Sequence, residues 1–262
     1  MDQSKDQLQT FPKLEIIGVT GIPEVRPGDQ LGPMILRATS AQDTPIENGD
    51  VVVVTQKVVS KAEGRLVDLS TVEPSQKACL LASGSDRDPR LVELVLRESL
   101  NIVRQDLERG ILITETIHGF VCANAGIDTS NVPGQEVVSL LPKNPDHSAS
   151  VLQHYLKDAL SATNLAVVIS DTFGRAWRNG HVNFAIGVSG IEPMIDYRGT
   201  LDAHGKALHL TRIAVVDEIA AATELVMAKT DGIPVAIVRG LPFCGDGEAA
   251  TLVREISADL FR

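Results

Sequence analysis

Cysteine is scarce in this sequence and has no pattern. The three residues, Cys79, Cys122 and Cys244, are odd in number, far apart and without a CxxC pair. That excludes a disulfide framework and a zinc ribbon, and leaves the reduced thiols of a cytoplasmic protein as the expectation. Aromatic residues make up 3% of the chain, so its core has to be built from Val, Ile, Leu and Ala. No apolar run approaches the roughly 20 residues of a membrane span, and the polar residues 1–10 lack the apolar region of a signal peptide. Positive charge is in deficit, with 24 Lys and Arg against 34 Asp and Glu and a formal net charge of −10. This excludes a nucleic-acid binder, whose affinity rests on cations against phosphates, and restricts any anionic ligand to a locally basic pocket.

Several catalytic signatures are missing as well. The six histidines show no HExxH or other metal spacing. The string nearest to a Walker A loop, residues 199–206, has the wrong glycine spacing and is followed by Ala207. No GxGxxG follows a strand pattern, and there is no GxSxG elbow. A nucleotide, if bound, needs an unusual site.

What remains is a chain of 262 residues, 44% hydrophobic and 22% charged, ordinary values for a globular protein. It reads as one unit over residues 1–262, with residues 1–12 a loose leader and no linker or repeat. Residues 14–19 read as a strand and 30–41 as a helix. In residues 51–55, four consecutive valines suit a strand buried on both faces. Residues 56–65 carry Lys57, Lys61 and Arg65 on an extended or turning backbone. An amphipathic helix is expected over 88–103, opened by Asp88-Pro89. Residues 111–115 and 119–123 look like a strand pair, 142–150 a loop, 151–162 a helix and 165–169 a buried strand. Further strands are expected at 183–188, 193–197, 207–216 and 233–238. Helices are expected at 217–229, with Asp217 as N-cap and Ile219, Leu225 and Val226 inward, and at 248–260. Strands and helices mix without strict βαβ alternation, a mixed α/β (α+β) class.

Two acidic segments follow strand patterns, Asp128-Thr129-Ser130-Asn131 and Asp171-Thr172. Such acids also serve turns and helix caps. Two of them on rigid backbone can instead bind Mg²⁺ or Mn²⁺, which prefer hard oxygen ligands. Arg175 and Arg178 lie just beyond the second, and metal with guanidinium suits a polyphosphate. Lys57 and Lys61 can meet a phosphate at the end of the valine strand, and residues 21–25 can wrap a base or ribose.

Taken together, these segments resemble the coenzyme F420-0:L-glutamate ligase (F420 gamma-glutamyl ligase) family from about residue 14 to 240. The resemblance is carried by residues 21–29 (GIPEVRPGD), 51–65 (VVVVTQKVVSKAEGR), 124–132 (NAGIDTSNV), 171–180 (DTFGRAWRNG), 217–221 (DEIAA) and 231–234 (DGIP). It implies a mixed α/β fold with two subunits interlocked as a homodimer. It implies that L-glutamate is joined to the phospholactyl carboxylate of the deazaflavin coenzyme F420-0 while GTP is cleaved with Mg²⁺ or Mn²⁺. By position, Asp128, Asp171 and Thr172 match metal ligands. Ile22, Pro23, Glu24, Val25, Lys61 and Asn131 match nucleotide contacts. Gln56 stands where some members have a small hydroxyl residue, and residues 225–231, with Met227, Lys229 and Thr230, also approach the nucleotide. Lys61, with Arg175 by inference, would balance developing charge. Some bacterial members carry a second, flavin-binding domain, and a freestanding ligase unit without one is the expectation. Alternatives are a related amide ligase acting on another carboxylate, a non-catalytic nucleotide-binding regulator and a metal-dependent hydrolase.

Overall fold

The computed structural model describes residues 12–132, 134 and 136–260. The leader expected over residues 1–12 lies, but for Pro12, outside them. In chain order the elements are β1 (Glu15–Val19), α1 (Leu31–Ala41), β2 (Val51–Thr55), α2 (Gln56–Ala62), β3 (Leu66–Asp68), α3 (Gln76–Ala82), α4 (Pro89–Arg97), β4 (Ser99–Asp106), β5 (Ile111–Thr116), β6 (Val121–Ala123) and β7 (Val137–Ser139). They continue with α5 (Pro145–Leu160), β8 (Ala166–Arg175), β9 (Arg178–Ser189), β10 (Ile195–Asp196), β11 (Arg212–Ile213), α6 (Val215–Met227) and β12 (Val235–Arg239). Among the described residues, no helix is long and apolar enough to cross a membrane.

The main sheet has the order β1-β12-β2-β8-β9. Its valine strand is covered on both faces, and the side-chain alternation of a strand says how. Val52 and Val54 join Val167 and Ile169 of β8 in a core with Ile35 of α1 and Leu152 and Leu156 of α5. Val51 and Val53 join Ala166 and Val168 in a second core with Val216 and Ile219 of α6. The helices are thus split between the two faces. At Gly187 the start of α5 comes so near to β9 that a Cβ would lie 2.3 Å from the Pro145 carbonyl oxygen. Asp146 fixes that contact by accepting the backbone N–H groups of Val188 and Ala249.

β2 and β8 are parallel, with Val51 opposite Ala166 and Thr55 opposite Ser170. A parallel pair needs a crossover connection. Here that crossover carries a second lobe, in which α3 and α4 pack on the three-stranded sheet β4-β5-β6 and on the β3-β7 pair. Arg65 ties the lobe to the main body, donating to Glu98 at 2.7 Å and to the Leu141 carbonyl at 2.9 Å. The insertion explains the irregular alternation of elements along the chain.

Several expectations need correction. The helix expected over 88–103 ends at Arg97, and the run Asn101-Ile102-Val103 lies in β4, where β-branched side chains pack well against β5. The loop expected over 142–150 contains the start of α5, capped by the Asn144 side chain on the His147 N–H with Pro145 in the first turn. Residues 56–62 are helical, not extended. In α6 the N-cap is Ala214, and Asp217 instead accepts the Ala185 N–H at 2.9 Å. Leu225 faces outward at 84% exposure. Residues 248–260 hold only two 3-10 turns, Ala249–Leu252 and Ile256–Ala258. The strands expected at 193–197 and 207–216 shrink to β10 and β11.

Candidate functional site

Helix α2 begins where β2 ends, with extended Thr55 as its cap. Lys57 and Lys61 are four residues apart on it, so both lie on one face, a turn from each other. Lys57 donates to Asp128 Oδ2 at 2.6 Å, to the Ser130 carbonyl at 2.8 Å and to Ser130 Oγ at 2.9 Å. An ammonium has three protons, and these three acceptors use them all. Lys61 is only 5% exposed. Among the described residues its acceptor is Glu24 Oε1, at 2.6 Å, on a largely exposed side chain. Among these residues its other two protons have no acceptor and can meet another anion. Gln56, also buried, accepts from Ser60 Oγ at 2.9 Å.

Asp128 is delivered from the second lobe. After β6 the chain turns through Asn124 and Ala125, both at positive φ, and Asp128 then pairs backbone groups with Ser139 at the end of β7. Its Oδ1 accepts the Ser130 N–H at 2.7 Å, closing an Asx turn, and the next residue, Asn131, is at φ 52°. Burial pushes the Asp128 carboxyl up, but the Lys57 ammonium and the Ser130 groups outweigh it and hold the group below its ordinary range.

Asp171 lies inside β8 and not at a strand end, opposite Phe184 of β9. Burial above all pushes its carboxyl up to about 7; the Thr172 N–H opposes that rise, the Asp128 charge adds to it, and Lys229 and Lys57 oppose it more weakly. The Thr172 hydroxyl donates to Asn183 Oδ1 at 2.7 Å, the Asn183 amide donates to Glu224, and Lys229 donates to the Thr172 oxygen. Lys229 also pairs with Glu224 at 3.3 Å.

The fold therefore gathers three segments far apart in sequence, residues 57–61, 128–131 and 171–172, and ties two more to them through Glu24 and Lys229. Ile22 packs on the core, Val25 is buried, and Pro23 lines a recess of about 310 Å³ with Gly21, Met34 and Arg37. Asn131 and Thr230 are exposed on their loops. Met227 is 1% exposed, so its side chain belongs to the interior. Arg175 lines a separate cleft, which neither Lys57 nor Lys61 lines. The bonds of Asn183 and Glu224 to the Thr172 group escaped the sequence reading, because side chains 41 residues apart in sequence leave no local signal.

The donor chemistry suits a hard cation. Asp128 and Asp171 are close enough for one charge to raise the other's pKa. Two of the three expected ligand side chains, Asp128 and Thr172, already hold an ammonium group. Oxygens that attract lysines in this way present the negative potential that Mg²⁺ or Mn²⁺ requires. Among the described residues no group of three or more His, Cys, Asp or Glu is placed to hold a metal, so the fit is that of an ion also held by phosphate and water.

Residues 20–240 match the family model described as F420-0:Gamma-glutamyl ligase. Curated proteins named coenzyme F420:L-glutamate ligase are similar over most of their length. The one from Methanothermobacter thermautotrophicus is 42% identical over 95% of this chain and 99% of its own. That from Methanopyrus kandleri is 43% identical over 96% and 99%, and that from Methanocaldococcus jannaschii 40% over 95% and 97%.

Proposed function

The chain belongs to the F420-0:gamma-glutamyl ligase family and is a ligase, and we propose that it joins L-glutamate to the phospholactyl carboxylate of F420-0 with GTP as phosphoryl donor. The observation that carries this reading is the gathering of Lys57 and Asp128 beside Asp171, with Lys61 one turn along α2 from Lys57. It combines cations for phosphate oxygens with carboxylates for a hard metal, the equipment of phosphoryl transfer.

A carboxylate does not condense with an amine at neutral pH, because hydroxide is a poor leaving group. In the proposed sequence the acceptor carboxylate attacks the γ-phosphorus of GTP, the bond to the β-phosphate oxygen breaks, and GDP leaves. The glutamate amine then attacks the acyl phosphate carbon, inorganic phosphate departs, and one proton is released on forming the amide. Asp128, Asp171 and Thr172 would hold Mg²⁺ or Mn²⁺, which when bound neutralises phosphate charge. Lys61 supplies its other two N–H donors to the phosphates, and Glu24 holds its ammonium in place beforehand. Lys57 keeps Asp128 ionised and fixes its turn. Holding donor and acceptor in line contributes by orientation and by excluding water.

The test is product analysis. GDP and a product heavier by one or more glutamyl residues are expected only when GTP, glutamate and F420-0 are all present with a divalent metal. GTP loss that is indifferent to both glutamate and F420-0 would reject ligation.

We further propose a homodimer. The apolar strand β9 is covered by α5 and α6 of the same chain and so does not itself call for a partner. Support comes instead from the excursion around β10 and β11, where Leu201 and Leu210 stand out, the latter 91% exposed. Such apolar surface favours burial at roughly 25 cal/mol per Å². Light scattering across a dilution series is expected to give twice the chain mass throughout, and a monomer with full ligase activity would reject the dimer.

A further inference from the structure

A cleft of about 840 Å³ opens beside the acidic site. One wall is β8 itself. Strand alternation puts Asp171 and Phe173 on one side, and past an irregularity in the pairing between Gly174 and Arg175 the strand ends at Arg175, which also lines the cleft, so the strand that offers the carboxylate to the metal continues into the cleft. Four residues of strand carry that wall about 13 Å from Asp171. Cys122 also lines the cleft, and its thiol is pushed up by burial and then by the charge of Asp171, which places the two close together.

The lining is chemically unusual for this chain. The sequence has six phenylalanines, and three of them, Phe120, Phe173 and Phe184, line this one cleft. They form a ladder, with ring centroids 6.4 Å apart for Phe120 and Phe173 and 5.9 Å for the stacked pair Phe173 and Phe184. None is fully buried. Arg175 lines the same cleft, and its Nη1 is shielded from solvent with no hydrogen-bond partner among the described residues. A buried guanidinium donor without an acceptor is costly, and an anion in the cleft would satisfy it. Asp217 also lines the cleft, but it accepts the Ala185 N–H, and burial raises its carboxyl, which weakens its opposition to an anion.

We infer that this cleft is the acceptor site: a planar aromatic ring lies against the phenylalanine ladder, and Arg175 donates Nη1–H to the anionic tail that carries the reacting carboxylate toward Asp171. The identity of the acceptor rests on the ligase reading above; the aromatic and anionic character of the ligand rests on the cleft. Arg175 is thereby a substrate-binding residue for the acceptor and not a clamp on the nucleotide.

The experiment measures F420-0 binding to the full chain without nucleotide, by the optical signal of its ring, for wild type, Arg175→Gln, Arg175→Lys and Phe184→Leu. Thermal melts check that each variant is folded. Arg175→Gln is expected to weaken F420-0 binding about tenfold or more, the worth of a hydrogen bond to a charged group. Arg175→Lys should restore part of the loss, Phe184→Leu should weaken binding, and GDP affinity should stay at the wild-type value in all three. Failure of the wild type to bind F420-0 overturns the assignment, and so does binding that is unchanged in folded Arg175→Gln and Phe184→Leu. Ligation is assayed separately. A wild type that ligates while binding ignores Arg175 sinks only the cleft, whereas Arg175-dependent binding without ligation supports the cleft and sinks only the ligase reading.

Discussion

Asp171→Asn is expected to lower the ligation rate on the order of a thousandfold or more at saturating metal, while the folded protein becomes more stable at alkaline pH. The two effects share one cause. Asp171 carries a carboxylate that burial and the neighbouring Asp128 charge both disfavour, so its pKa rises from 3.8 to about 7. Without a bound cation, the folded chain is strained by ionising it. For an acid raised in this way, the stability it contributes is complete below 3.8 and is lost as pH climbs through about 7. Asparagine is nearly isosteric, keeps an oxygen for the Thr172 N–H, and cannot ionise. The variant should therefore melt a few degrees higher than wild type at pH 8 without metal, and at the same temperature at pH 4. The lost negative charge should abolish metal-assisted turnover, since removing several kcal/mol of charge stabilisation costs about a factor of ten per 1.4 kcal/mol. Melting curves at the two pH values, with turnover at saturating Mn²⁺, check both arms. Full turnover in a well-folded variant would end the metal-ligand assignment of Asp171.

The same residue shows how far the sequence could be read. Its place beyond a buried apolar run was visible, because the run 165–169 is too apolar to be anything but interior. What the sequence did not show is that the strand continues. Residues 171–175, Asp-Thr-Phe-Gly-Arg, hold a single apolar side chain and lie in the long β8–β9 hairpin, whose pairing carries Asp171 opposite Phe184 and Thr172 opposite Asn183. The local pattern had lost its apolar alternation there, so the register was set by the partner strand. Helix α2 was hidden for a similar reason. Its residues 56–62 include two valines, and seven residues show barely two helical turns, too short a span to display a period. Helix α4 was recognised but overrun, since the pattern Leu-Asn-Ile-Val after it can be aligned with either period. The individual site residues came from family resemblance. Their arrangement, with Lys57 on Asp128 across 71 positions, came only from the fold.

That arrangement decides what Lys61→Ala should do. Of the two lysines on α2, Lys57 is saturated by Asp128 and Ser130, so it is a structural cation that holds the acidic turn. Lys61 is the better buried of the pair and, among the described residues, has one acceptor, Glu24, which belongs to the segment 22–25 expected to touch the nucleotide. A nucleotide phosphate gains a charge-assisted bond from Lys61 without that lysine having to abandon its position. Such bonds are worth about 1.5–3 kcal/mol, which converts to roughly 10- to 150-fold in affinity. Lys61→Ala is accordingly expected to weaken GDP binding within that range in calorimetry. It also leaves Glu24 without its cation, which adds repulsion toward phosphate and pushes the effect to the upper end. The double variant Lys61→Ala with Glu24→Gln separates the two contributions, and it should recover part of the affinity but not all of it. GDP affinity equal to wild type, accompanied only by a lower melting temperature, would assign Lys61 to the stability of α2 and remove it from the nucleotide site.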